Sequence, residues 1–227
     1  MDPPAVESRD LRFRYPTGAD VLRIAVLRIE TGSRVLLVGP SGSGKTTLLG
    51  LLAGVIQPTA GRLSVLGRDL TTMSSVARDR FRGTHVGYIF QLFNLIPYLT
   101  VFDNIVLPCR LSARRRERLG GVPLPQAAID VAAPLGIEPL LQKGVLDLSV
   151  GQQQRVAAAR ALIGAPDLVI ADEPTSSLDA EQRDRFLELL FASCARAAAT
   201  LIFVSHDPAL RSGFDQVLSL PALNEAA

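Results

Sequence analysis

Gly39-Pro40-Ser41-Gly42-Ser43-Gly44-Lys45-Thr46-Thr47 lies between the apolar run Val35-Leu36-Leu37-Val38 and the helix-forming run Leu48-Leu49-Gly50-Leu51-Leu52-Ala53. The spacing is G-x-x-x-x-G-K-[ST], set between a buried strand and a helix. Glycines let the backbone curl without a Cβ clash, so successive N–H groups can face an anion. The positive end of the following helix adds to that field. Lys45 is then placed to reach the β- and γ-phosphates of a nucleotide, and the Thr46 hydroxyl to ligate Mg²⁺. A Gly/Ser-rich turn of no function is the bland alternative, and the flanking runs argue against it. The stretch predicts a nucleoside triphosphate site made by Gly39–Thr47.

The 227 residues suffice for one large domain or a domain with an inserted lobe. Apolar residues are 48% of the chain, which suits an α/β core, and aromatics at 5% leave little for stacking platforms. A net charge of +2 argues against nucleic acid as the main partner. Cys109 and Cys194 lack C-x-x-C spacing, which predicts two buried thiols in a reducing compartment. Met1-Asp2-Pro3-Pro4 lacks the layout of a signal peptide. No apolar run approaches the ~18 residues that span a bilayer. The expectation is a soluble, cytosolic chain.

Before the phosphate loop, residues 9–30 read as two strands around Pro16-Thr17-Gly18. Tyr15 precedes that turn. It is either a half-buried strand residue, the better reading of the residue alone, or an exposed ring on which a base stacks. Further on come a short strand Arg62–Leu66, a polar helix around Ser74–Arg82 and the strand Val86–Phe90, which ends at Gln91. A glutamine there can ligate Mg²⁺ through oxygen and donate to water through nitrogen, or be a solvated loop residue. Residues 92–145 change character, with recurrent prolines and a helix over Ala127–Leu135, and read as an inserted helical lobe. Arg114-Arg115-Arg116 and Arg118 read there as a solvated helix face. A weaker alternative is contact with anionic lipid or an acidic membrane partner. His85 reads as structural.

Leu148-Ser149-Val150-Gly151-Gln152-Gln153-Gln154-Arg155 precedes a strong helical run. Ser149 with Gln152 forms a capping box, so the helix starts at Ser149. The residues leave an ordinary capped helix and a second anion site equally open. Asp167–Pro174 reads as a buried strand ending in two acids, at the edge where parallel sheets bind ligands. Asp172 suits a Mg²⁺ shell, and Glu173, pointing the other way, suits a base for an attacking water. Thr175-Ser176-Ser177-Leu178-Asp179 turns into a helix over Glu181–Arg196. The strand Thr200–Val204 then ends at Ser205-His206, where a γ-phosphate contact is open to the histidine. Gln216–Leu220 reads as a last strand before a short polar tail.

In this order the residues resemble the ATP-binding subunit of ABC transporters over nearly the whole chain. The resemblance places the Walker A loop on Gly39–Thr46, the Q-loop glutamine on Gln91 and the signature on Leu148–Gln152. It places the Walker B aspartate on Asp172, the catalytic glutamate on Glu173, the D-loop aspartate on Asp179 and the switch histidine on His206. Tyr15 matches the aromatic that stacks on adenine. The implied fold is α/β: a P-loop NTPase core with an antiparallel β subdomain, formed by residues 1–91 and 146–227, and an inserted helical subdomain over 92–145. The resemblance further implies a head-to-tail dimer around two Mg²⁺-ATP. Each nucleotide would lie on Lys45 and Thr46 of one copy and under Ser149, Gly151 and Gln152 of the other. Closure would gather Glu173, Gln91 and His206 around the attacking water and drive a separately encoded permease, with the chain peripheral on the cytoplasmic face of the inner membrane.

Gln91–Ile105, the short length and Asp-Glu-Pro-Thr-Ser-Ser-Leu-Asp resemble the macrolide-export and lipoprotein-release branch. Polar amino-acid importers carry similar words. An ABC ATPase driving a non-transport membrane partner, as in the cell-division branch, is the first alternative. A soluble ABC ATPase acting on DNA or ribosomes is disfavoured by the single cassette and near-neutral charge. One departure stands out, because the usual Gly-Gly of the signature is Val150-Gly151. Val cannot take the positive-φ conformations open to Gly; the expectation is that Ser149 and Gly151 still reach the γ-phosphate, with altered closure.

Overall fold

A computed structural model describes residues 3–176 and 178–226, so Ser177 of the Thr175–Asp179 turn, Met1, Asp2 and Ala227 lie outside it. The described chain divides into two units, one of residues 1–82 with 200–227 and one of residues 83–199.

The first unit holds two sheets. β1 (Val6–Arg14) pairs antiparallel with β2 (Asp20–Ile29), and on its other side with β4 (Ala60–Val65), which carries the short β5 (Arg68–Asp69). Alternation does the sorting: Val6, Leu11 and Phe13 of β1 are buried, as are Leu22, Ile24, Leu27 and Ile29 of β2. The alternation changes phase at Asp10, whose φ is 50°. Gly61 accommodates that kink, since a Cβ there would lie 2.1 Å from the Asp10 carbonyl oxygen.

The second sheet of this unit is parallel and reads as nearly continuous apolar runs. β3 (Arg34–Val38) runs between β8 (Thr200–Val204) and β9 (Gln216–Ser219), in register Leu36 with Phe203 and with Val217. Every residue of β8 is buried. Arg34 fixes the end of β3 through two guanidinium bonds to Asp215, at 2.7 and 3.2 Å. α1 (Lys45–Leu52) follows β3, and α2 (Ser75–His85) carries the chain out of the unit. The last strand ends at Ser219, one residue before the expected Leu220. That leucine starts α8 (Leu220–Leu223), and Asn224 beyond it accepts from the Arg23 N–H and donates to the Val21 carbonyl. The segment expected to be a polar tail is therefore stitched to β2.

The second unit pairs β6 (Val86–Ile89) in parallel with β7 (Leu168–Asp172) and is otherwise helical. α3 (Val101–Leu111) is capped by Thr100, α4 (Ala113–Glu117) by Ser112, and α5 (Leu124–Ala132) starts and ends three residues earlier than the Ala127–Leu135 expectation. Pro134 supplies no N–H for an α-helical bond, and residues 133–135 tighten to a 3₁₀ turn instead. α6 (Val150–Leu162) and α7 (Ala180–Arg196) complete the unit. α6 lies so close to β6 that a Cβ on Gly87 would meet the Ala161 carbonyl oxygen at 2.3 Å. Both cysteines are buried and free.

The arginine run is not a uniformly solvated face, and the expectation fails at Arg115. That side chain is 2% exposed. Its guanidinium donates to the carbonyls of Val86 and Ile163, both at 2.8 Å, and of Ala161. A fork of donors can serve several carbonyls left over where α6 ends against β6. Burial pushes the Arg115 guanidinium down to about 10, still charged at neutral pH. Arg118 bonds the Asp167 carboxylate at 2.8 Å and the Ala165 carbonyl at 2.7 Å. His85 Nδ1 lies 2.6 Å from the same carboxylate, which gives His85 the structural part expected of it.

Arg115→Met should therefore cost about 3 kcal/mol in denaturant unfolding, because three buried carbonyls lose their donor, whereas exposed Arg116→Met should stay within about 0.5 kcal/mol. Equal costs would refute the buried-clamp assignment.

Asp167 gives a pH test. Burial raises its carboxyl, but the bonds from His85 and Arg118 outweigh burial and hold it below the usual carboxylate value. A folded-state value below the unfolded one contributes stability that is complete above about pH 4 and lost as pH falls through the folded-state value. The stability gap between the parent and Asp167→Asn should thus shrink as urea titrations move from about pH 7 to about pH 3.

Candidate functional site

In the first unit the phosphate loop joins β3 to α1. Gly42 and Gly44 take φ of 81° and 96°, the left-handed region that side chains avoid. Gly44 is the N-cap of α1 and supplies no capping side chain, and the first turn carries no acid. The first turn of α1 thus takes no side-chain cap, the arrangement in which helix N–H groups can face an anion. Lys45 is buried, its Nζ donating to the carbonyls of Gly39 at 2.7 Å and Pro40 at 3.0 Å. The ammonium thus bonds carbonyls of its own loop. Ser43 Oγ is buried without a hydrogen-bond partner among the described residues. An oxygen donor left over inside a cradle of N–H groups fits a phosphate.

Thr46 is exposed at the helix start, and Thr47 is buried with Oγ1 3.3 Å from the Tyr15 hydroxyl. Tyr15 stands one residue past β1, half-exposed at 48%, its ring edge-on to Phe13 at 4.9 Å. Tyr15 thus lies just outside the strand with its ring part-exposed. Leu37 and Val204 are register partners in parallel strands, so the phosphate loop and Ser205-His206 leave the sheet at one edge. His206 is exposed there.

The second unit carries the other candidates. Ile89 pairs with Ala171, so Gln91 and Asp172 both follow the same edge of β6 and β7. Gln91 is exposed and Asp172 half-buried. The strand stops at Asp172, and Glu173 takes φ 44°. The expected strand alternation of these two acids therefore ends at Asp172. A left-handed turn, not strand pleating, sets the course of Glu173. Burial raises the neighbouring Tyr88 hydroxyl, helped by the Asp172 charge. The N-cap of α7 is Asp179, whose two carboxylate oxygens accept from the Gln182 N–H at 2.8 Å and side-chain amide at 2.7 Å.

Ser149 is the N-cap of α6, with the capping box present: Gln152 N–H donates to Ser149 Oγ at 3.3 Å and Ser149 N–H to Gln152 Oε1 at 3.0 Å. Val150 is the first helical residue, half-exposed, and neither it nor Gly151 has a positive φ. The valine therefore strains nothing in this conformation, and the expected conflict at the Gly-Gly position is absent.

Sequence reasoning passed over two residues that shape the site's surroundings. Arg160, in the apolar half of α6, bonds the carbonyls of Phe93 and Asn94. Asn104 is fully buried and bonds the backbone at Ile96 and Thr100. A polar side chain amid Val156–Leu162 or Val101–Val106 was the available signal.

Known proteins bear on these geometries. The family model described as ABC transporter matches residues 22–176. The chain is 38% identical to the lipoprotein-releasing system ATP-binding protein LolD of Anaeromyxobacter dehalogenans over 96% of its length and 90% of that protein. It is 40% identical to the uncharacterized ABC transporter ATP-binding protein YbbA of Escherichia coli K12, over 86% of this chain and 83% of that one. Among solved structures, the ATP-binding cassette MJ0796, a dimer bound to ADP and Pi in a post-hydrolysis state, superposes with a TM-score of 0.84 at 28% identity. That match covers 97% of this chain and 95% of that one.

Gly44→Ala tests the cradle. Its Cβ would stand 2.8 Å from Leu22 Cδ2 at φ 96°. The left-handed penalty of about 1–2 kcal/mol should weaken nucleotide binding roughly tenfold in a fluorescent-nucleotide titration. Unchanged affinity would show that the loop's observed course is not the binding one.

Proposed function

The chain belongs to the ABC transporter family and is an ABC-type ATPase, and on that premise we propose that two copies sandwich two Mg²⁺-ATP and drive a separate permease of the lipoprotein-release type. The observation that carries this reading is the presence of two helix N-termini of opposite character. α1 leaves its first N–H groups uncapped beside a buried lysine, whereas α6 presents Ser149 and Gly151 on a self-capped turn. An uncapped terminus can hold a phosphate tightly. A self-capped one can still offer its hydroxyl proton and remaining N–H groups to a phosphate brought by another copy. The dimeric state of the MJ0796 cassette and the LolD relatives support it.

In this reading Tyr15 stacks on the base, and Gly39, Pro40, Ser41, Gly42, Ser43 and Gly44 wrap the phosphates. Lys45 exchanges its loop carbonyls for phosphate oxygens, Thr46 and Thr47 complete the loop, and Gln152 and Asp179 border the partner's nucleotide. The hydroxyl, amide and carboxylate oxygens of Thr46, Gln91 and Asp172 suit a hard cation, and bound Mg²⁺ supplies charge neutralisation at the phosphates. Glu173 accepts the proton of the attacking water, Gln91 orients that water, and His206 donates to the γ-phosphate. No helix among the described residues is long and apolar enough to cross a membrane. We accordingly place the chain peripherally on the cytoplasmic face of the inner membrane, attached through its permease.

Glu173→Gln keeps the binding groups and removes the proton acceptor. With Mg²⁺-ATP it should migrate in sizing chromatography at twice the 24.3 kDa of the single chain. Its turnover should fall by about a hundredfold or more. Normal turnover would remove Glu173 from the role of base, and a lone chain under saturating ATP would sink the sandwich.

A further inference from the structure

The loop that follows Gln91 is held in an unusual shape by a buried cation. Phe93 and Asn94 are consecutive residues at φ 59° and 48°, a conformation that side chains disfavour. Their carbonyls converge on Arg160, which donates Nη2 to Phe93 at 2.5 Å and Nη1 to Asn94 at 2.6 Å. Arg160 is itself buried at 9% exposure. Charge-assisted bonds are about twice as strong as neutral ones, and the planar fork fixes both carbonyls in one orientation. The far end of the loop is pinned by Asn104 of α3, whose amide exchanges bonds with Ile96 at 2.8 and 3.1 Å. Flanking the two clamped stretches, the chain displays Leu92 and Tyr98, 83% and 85% exposed.

Arg160 shares one helix with Ser149, about 16 Å along its axis at 1.5 Å per residue. The helix is unbroken from Val150 to Leu162. Packed helices move as bodies, so a displacement at the start of α6 must either carry Phe93 and Asn94 with it or break two buried bonds. We propose that Arg160 is a positioning residue which transmits the state of the α6 N-terminus to the exposed apolar loop after Gln91. This rests on the functional reading above, which gives that N-terminus a nucleotide to answer to.

The chain contains no tryptophan, so Leu92→Trp introduces a single reporter. In a Glu173→Gln parent, where Mg²⁺-ATP persists, addition of the nucleotide should shift the emission of the new indole. Adding Arg160→Met should reduce that shift by about fivefold or more while ATP affinity, read by displacement of a fluorescent analogue, changes by less than about threefold. Arg160→Lys, one point donor in place of a fork, should retain an intermediate shift. It also carries the test where the methionine variant fails to fold. A full shift in either folded Arg160 variant overturns the inference, as does a silent indole in a parent that binds Mg²⁺-ATP. A parent that does not bind Mg²⁺-ATP overturns the functional reading itself.

Discussion

The first N–H groups of a helix have no carbonyl within it to meet, and this chain leaves that need open in α1. A serine or aspartate at position 44 would have closed it from within. Gly44 instead supplies φ 96° and no side chain, and no acid follows in the first turn. Lys45 and the N–H groups place positive charge together in a part-buried loop. The Gly39 and Pro40 carbonyls balance the ammonium meanwhile. A phosphate that took over Lys45 would release those carbonyls and satisfy the helix at one stroke. The strand before the loop and the helix after it can be read as the rigid frame that keeps this cradle from relaxing.

The second unit answers a related problem in the opposite way. Where α6 ends against β6, and where the loop after Gln91 turns left-handed, carbonyl oxygens accumulate in the interior. Arg115 and Arg160 are the donors that meet them. Burial lowers both guanidinium groups from their ordinary value, yet Arg keeps its charge where Lys would tend to lose it. Buried cations of this kind set direction as well as energy, because a planar fork accepts few arrangements of its partners.

Much of the architecture was legible because the chain states it locally. The strand alternation of Leu11 and Phe13, the continuous apolar runs of β3 and β8, and the Ser149–Gln152 box each follow from spacing alone. So did the phosphate loop, whose glycines occur at the positions the backbone requires. What spacing could not show is which charged residues turn inward. Arg115 stands in Arg114-Arg115-Arg116, where nothing local separates it from its neighbours. Its burial depends on Gly87 and Gly164 letting the chain come close. At Val150 spacing could not show the backbone either. A valine there would be strained only at positive φ, and the Ser149–Gln152 box, itself legible from spacing, gives position 150 helical geometry.

Backbone strain offers a reading of the second unit that needs no motif. Among the described residues, seven other than glycine have positive φ. Three of them, Phe93, Asn94 and Glu173, follow the carboxyl ends of the parallel strands β6 and β7. That edge is where open parallel sheets place their ligands. Left-handed side chains persist only where the surroundings over-determine them. For Phe93 and Asn94 the Arg160 fork does so. For Glu173 the turn that follows supplies part of the constraint, since the Ser176 N–H donates back to its carbonyl at 3.3 Å and Pro174 beyond it is buried. Ala165 and Ala198 of the same unit are left-handed as well, in the turns that follow α6 and α7, so what distinguishes Phe93, Asn94 and Glu173 is their place at the carboxyl ends of β6 and β7.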